Sequence, residues 1–126
     1  MTARMELSFR TELDAFEWVF VVLTLVLAGI HLYLGLFAAF VPPERASQFV
    51  LVALALFLGP LVYVTSYWRP VLYLLGVAFT LYLGVIWLLG GMEYTSVGVA
   101  TGVVATTFVL ISVYLFLREE SRLDQG

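Results

Sequence analysis

The stretch 16–41, FEWVFVVLTLVLAGIHLYLGLFAAFV, decides the fold. Its 26 residues carry one acid at the start, Glu17, and one imidazole, His31. A helix rises about 1.5 Å per residue, so the run is longer than a hydrocarbon core of roughly 30 Å. Three further apolar runs occupy 49–68 (20 residues), 71–89 (19) and 97–117 (21). Together the four take 86 of 126 residues, which leaves no room for a soluble domain. The chain is therefore expected to be a single all-α domain over 1–126, a transmembrane four-helix bundle. Its helices are predicted over 11–41, 43–68, 70–89 and 96–118.

Composition excludes most other classes. With 63% hydrophobic and 12% charged residues, the chain cannot wet the surface of an ordinary soluble domain. A net charge of -3 gives no footprint for nucleic acid, and zero cysteines exclude disulfides, iron–sulfur ligation and thiolate metal sites. All six basic residues are Arg, and with nine acids this points to a halophilic source. The first run is too long for the core of a cleavable signal, and the acids Glu6, Glu12 and Asp14 precede it.

Short connections order the spans. Thr11 with Asp14 reads as a capping box for the first helix, and Met5, Phe9, Leu13 and Phe16 share one face suited to an interface. Pro42-Pro43 ends the first span and opens the second; Arg69-Pro70 leaves almost no loop between the second and third, making them antiparallel neighbours. Gly90-Gly91 stops the third, and Thr95 or Ser96 can cap the fourth. An up-down-up-down bundle follows. Arg4, Arg10, Arg69, Arg118 and Arg122 fall on one side and Arg45 on the other, so both termini are expected in the cytoplasm of a multi-pass cell-membrane protein. Trp18 and Trp68 then mark the inner interface, and Trp87 and Tyr94 the outer one. A shift of 49 residues superposes Leu32-Tyr33-Leu34-Gly35 on Leu81-Tyr82-Leu83-Gly84, Glu44 on Glu93 and Arg69 on Arg118, the pattern of two duplicated hairpins.

The candidate site is a polar layer near mid-membrane. His31 stands ten residues from the outer end of its span, and the same count reaches Thr80 and Thr107, beside Thr106. Gly59-Pro60 is a candidate hinge, because Pro60 cannot donate to the Leu56 carbonyl. Glu17, Thr24, Ala28, His31, Gly35 and Ala38 form a seam of polar and mostly small residues that should face the other helices. Gly76, Thr80 and Gly84, and Gly98, Gly102 and Thr106, form similar faces. His31 has two readings: an imidazole bonded to a Thr hydroxyl or the Leu56 carbonyl, or a proton-bearing functional group. Glu17 reads as an acid at the positive helix end, the tyrosines as packing and interface anchors, and Arg118, Glu119, Glu120 and Arg122 as a solvated helix end.

The strings Ala28-Gly29-Ile30-His31-Leu32-Tyr33-Leu34-Gly35 and Arg69-Pro70-Val71-Leu72-Tyr73-Leu74-Leu75-Gly76, with Val85-Ile86-Trp87-Leu88-Leu89 and a final Arg118-Glu119-Glu120, resemble small haloarchaeal four-span membrane proteins of unknown function. The resemblance covers roughly residues 16–120 and implies the four-span fold and source, with no activity. A fainter likeness to DoxX-type proteins lacks that group's usual Arg and Lys marks. No catalytic motif, metal set or cofactor site is read from the residues, so an enzyme is not expected. The leading expectation is a non-enzymatic accessory subunit of a membrane assembly, with the lipid bilayer and a homodimer or larger complex as partners. The alternatives are a minimal dimeric proton or small-solute transporter using His31, and a haem- or quinone-linked redox subunit. Whether His31 faces a cavity or a packed interface separates the first two.

Overall fold

Helix α1 (Ala15–Leu36) starts on a reciprocal pair of bonds: Glu17 N–H donates to Asp14 Oδ1 at 3.0 Å, and Asp14 N–H donates to Glu17 Oε1 at 3.0 Å. The computed structural model describes residues 12–38, 41–65, 67–91 and 95–125. Thr11 lies outside those residues, and the observed box is Asp14–Glu17, so the helix begins four residues later than predicted. The expected interfacial face at Met5 and Phe9, the charges of Arg4, Arg10 and Glu6, and Glu93 and Tyr94 also lie outside the described residues.

Helix α2 (Pro43–Tyr63) follows Pro42, whose fixed φ suits the position before a first turn. It ends five residues short of the predicted 68. Val64 is its C-cap, and the backbone turns through Thr65, whose hydroxyl donates to the Val62 carbonyl at 2.6 Å. Helix α3 (Val71–Leu89) stops at Gly90, and Gly91 takes φ +90°, a left-handed conformation that costs a glycine nothing. Helix α4 (Thr95–Gln125) runs past the predicted 118. Thr95 and Ser96 are its first residues rather than residues preceding it. Each helix is long and apolar enough to cross a membrane. The architecture is an all-α four-helix bundle.

The start of α1, the turn between α2 and α3, and the last turns of α4 form one end of the bundle, here the terminal end. The other is the loop end. α1 packs on α2 and α4, and α3 packs on α4. The seam predicted on α1 faces this contact: Glu17, Thr24 and Ala28 are buried, and a Cβ on Gly35 would lie 2.5 Å from the Val50 side chain. α2 and α3 depart from the expected neighbour packing. They meet where Tyr63 Oη and Tyr73 Oη lie 2.8 Å apart, beside the turn, and a cavity with residues of both on its wall separates them further along. A tight turn brings two helix ends together but does not fix the angle at which they leave.

That separation bears on the repeat. A twofold relation between hairpins would pair α2 with α3 as α1 pairs with α4. Gly35 packs against Val50, whereas a Cβ on its counterpart Gly84 would meet nothing. The described packing is therefore not twofold symmetric.

The core lies toward the terminal end. The Phe20 ring packs on Tyr63 (4.8 Å between centroids), Tyr73 (5.1 Å), Phe108 (5.5 Å) and Trp68 (5.9 Å), touching every other helix and the turn. Most of the outer surface is apolar, and on α3 only Tyr73 is buried. Trp68, in the turn beyond the end of α2, is partly buried and packs against this core.

Candidate functional site

Two polar groupings stand out, one predicted from the sequence and one not. The predicted group is divided by helix rotation. His31 Nδ1 donates to the Leu27 carbonyl of its own helix at 2.7 Å, not to a Thr hydroxyl or to Leu56. That bond places the ring proton on Nδ1 and leaves Nε2 as the acceptor of the neutral ring. Thr80 donates to the Gly76 carbonyl at 2.8 Å, Thr106 to Gly102 at 2.8 Å and Thr107 to Val103 at 3.0 Å. Each hydroxyl is satisfied by its own helix, a usual solution in hydrocarbon.

His31 and Thr80 nevertheless share a wall. Both line a cavity of about 590 Å³, and all four helices contribute to its walls. Thr106 and Thr107 are exposed and do not border it; Thr101, one and a half turns away on α4, takes that place. A count along the axis does not fix the face, because at 100° per residue it is lost after one miscounted position. The wall is mainly apolar, with Arg45 and Gln48 near the start of α2 and Trp87 near the end of α3. Gly84, Gly98 and Gly102 also border it, so the small-residue faces of α3 and α4 line open space as well as a helix contact. Gly98 additionally admits the Trp87 indole, into which a Cβ would collide.

Thr101 differs from the other threonines within the spans. Its Oγ1 is buried and has no hydrogen-bond partner among the described residues. A hydroxyl left so in an apolar setting costs about 1–3 kcal/mol, which makes it a feature that wants explanation.

The hinge candidate Gly59-Pro60 sits in the last turn of α2, with Pro60 buried. Pro60 has no N–H to give the Leu56 carbonyl. Less than one turn of helix lies beyond it, because α2 stops at Tyr63.

The second grouping was not foreseen. Glu17 is buried at the terminal end, where Tyr63 Oη donates to its Oε2 at 3.3 Å and bonds Tyr73 Oη at 2.8 Å. Arg118 Nη1 lies 2.7 Å from Asp14 Oδ2, and its Nη2 lies 3.9 Å from Glu17 Oε2. Arg118 is thus not part of a solvated helix end: it reaches back to the start of α1, while Arg122 pairs more loosely with Glu119 at 3.7 Å. The Asp14 carboxyl is held below its ordinary value by the Glu17 N–H it accepts, against some desolvation, and then by Arg118. The cluster ties α1, α2, α3 and α4 together at this end and leaves the loop end to the cavity. Glu17 at the N3 position of a helix was the available signal, but its partners sit 46 and more residues away.

A family model described as a family of unknown function (DUF7475) matches residues 2–116. No curated protein and no solved structure matches. The likeness expected from the sequence thus meets a family, whose description states neither an activity nor a source.

Proposed function

The chain belongs to the DUF7475 family of unknown function, and from that premise we propose a multi-pass membrane protein that passes a small solute through the cavity between α2 and α3. The observation that carries this is the placement of His31. Its imidazole borders a cavity whose wall also includes Thr80, Thr101, Gln48 and Arg45. An ionisable group at membrane depth is costly, and turned toward a cavity it marks a solute or proton path. With Nδ1 engaged by Leu27, Nε2 is the atom on which a proton would be taken up. The test is proton-coupled uptake in vesicles reconstituted with the full chain. His31→Gln should abolish flux while leaving the melting temperature near that of the parent; undiminished flux would refute the role.

Membrane orientation completes the proposal. The Arg distribution supports termini in the cytoplasm, with the cavity mouth toward the opposite side. A Cys placed at position 2 or 125 should resist an impermeant thiol reagent added from outside, and labelling from that side would invert the topology.

One observation favours a second reading, the non-enzymatic accessory subunit. α3 buries only Tyr73, and its remaining apolar surface, including Leu75, Leu81 and Val85, is available to a second copy or a larger assembly. Cross-linking between Cys-substituted α3 faces in native membranes would support this, and a monomer without cross-links would remove it.

A further inference from the structure

We propose that this cavity admits, from its side, a neutral amphiphile dissolved in the bilayer, whose hydroxyl donates a hydrogen bond to His31 Nε2. This rests on the reading of the cavity as a solute site and names the class of solute. Three sides of the four-helix square are closed by packing: α1 on α2, α1 on α4 and α3 on α4. Among the described residues no comparable packing joins α2 to α3, which meet at the Tyr63–Tyr73 bond near the terminal end. Toward the loop end the gap between them is the cavity, bordered on α2 by Val52 and Leu56 and on α3 by Leu83 and Gly84. Both helices also carry exposed apolar side chains, such as Leu58 on α2 and Leu81 on α3, so lipid adjoins the gap. An occupant reaches the cavity from there without parting two packed helices.

The polar atoms on the wall want a proton rather than a charge. His31 Nδ1 donates to the Leu27 carbonyl at 2.7 Å, so Nε2 of the neutral ring is an acceptor, and it has no partner among the described residues. Unlike Thr101 Oγ1, which is sealed, Nε2 keeps accessible surface on a half-buried ring. Thr80 has given its proton to the Gly76 carbonyl at 2.8 Å, so its oxygen also only accepts. Arg45 already has an interaction of its own, so the wall does not call for an anion. A carboxylate, ketone or ether would set lone pair against lone pair at Nε2. An ammonium would enter without a counter-charge, since no acid borders the cavity among the described residues. A hydroxyl supplies the missing proton and brings no charge.

The depth of these groups suits an amphiphile lying in one leaflet. His31 lies five residues before the end of α1 at Leu36, about 7 Å by helical rise. Arg45 and Gln48 border the cavity from the opening turns of α2, at the same end. The Phe49 ring is 6.1 Å from the imidazole, and Leu56 lies about two turns further along α2, where with Leu27 it lines the apolar floor. A polar rim above an apolar floor repeats the profile of the surrounding leaflet, so a hydroxyl enters with its chain pointing inward. The volume of about 590 Å³ falls within the range of pockets that enclose small organic ligands. A purely apolar occupant would leave Nε2 facing hydrocarbon, which offers it no donor.

The probe is a long-chain alcohol with a diazirine in its tail, too insoluble in water to arrive except from lipid. The full chain is photolabelled in nanodiscs of zwitterionic lipid at about pH 8, where an ordinary imidazole is neutral, and the labelled peptides are mapped by mass spectrometry. Labelling around Val52 and Leu83 should saturate. Unlabelled alcohol should displace it at a mole fraction about fivefold or more below that needed by its methyl ether, the worth of one hydrogen bond. His31→Phe should erase that difference. Gly84→Phe, at a position where a Cβ meets nothing within 4 Å, should fill the space and cut cavity labelling several-fold. Equal displacement by alcohol and ether, a preference that survives His31→Phe, or cavity labelling unmoved by Gly84→Phe would each overturn the proposal. So would cavity labelling confined to short, water-soluble alcohols. Should His31→Phe fail to fold, the alcohol–ether comparison in the unsubstituted protein and Gly84→Phe decide the question. Alcohol recognition without proton-coupled flux would sink the transport reading alone; flux together with equal displacement by alcohol and ether would sink this inference alone.

Discussion

Phe20→Ala tests whether aromatic contact, rather than apolar burial as such, holds the terminal end together. Phe20 is 3% exposed and meets four rings at centroid distances of 4.8 to 5.9 Å. In a bilayer, the apolar transfer term that dominates soluble cores is weak, because the unfolded helix already sits in lipid. What remains is ring geometry and the void left behind. Four aromatic pairs at about 0.5–1.5 kcal/mol each give a loss of about 2–6 kcal/mol. The lower half of that range is expected, since Trp68 and Tyr63, 4.6 Å apart, can close on the gap. Phe16 is the control: it is 49% exposed and its ring meets only Tyr114, at 5.0 Å, among the described ring pairs. Phe16→Ala should cost about 1 kcal/mol or less by the same rule. Both variants would be unfolded reversibly in bicelles by steric trapping, with free energies compared in one lipid. Equal losses at the two positions would refute the reasoning, for then the cost would follow residue type and not ring contacts.

Asp14→Asn addresses acid sensitivity. The native Asp14 pKa lies below its ordinary 3.8 because Glu17 N–H and Arg118 favour the charged form, so the stability it contributes is present above that value and lost as pH falls through the lower native one. The variant should show a flatter stability profile below about pH 4, and an unchanged profile would count against the pairing. Gly35→Val should lower stability by about 1–3 kcal/mol or more, since the new side chain meets Val50 and the Ala46 backbone carbonyl; an unchanged melting temperature would show that α1 and α2 do not approach so closely. Thr101→Val should leave the ligand-free protein as stable or raise its stability by up to about 1–3 kcal/mol, because it removes a buried hydroxyl with no partner among the described residues. A marked loss in thermal unfolding would show that the hydroxyl has a partner after all.

Local features of the sequence determined the spans and their stops. Four apolar runs, Pro42-Pro43, Arg69-Pro70 and Gly90-Gly91 act within a few residues of themselves, and the helices Ala15–Leu36, Pro43–Tyr63, Val71–Leu89 and Thr95–Gln125 follow them. The contact face of α1 was also legible, because Glu17, Thr24, Ala28 and Gly35 recur at a helical spacing that lipid-facing residues have no reason to keep. The rest required the tertiary structure. An apolar side chain in lipid pays nothing for facing outward, so hydropathy could not tell that α3 buries only Tyr73 or that α2 and α3 stand apart around a cavity. Thr80, Thr106 and Thr107 look equivalent by depth, yet only Thr80 borders that cavity, because rotation about the axis decides the face. Glu17, Tyr63, Tyr73 and Arg118 meet only when four helix ends converge, and no spacing along the chain records that convergence.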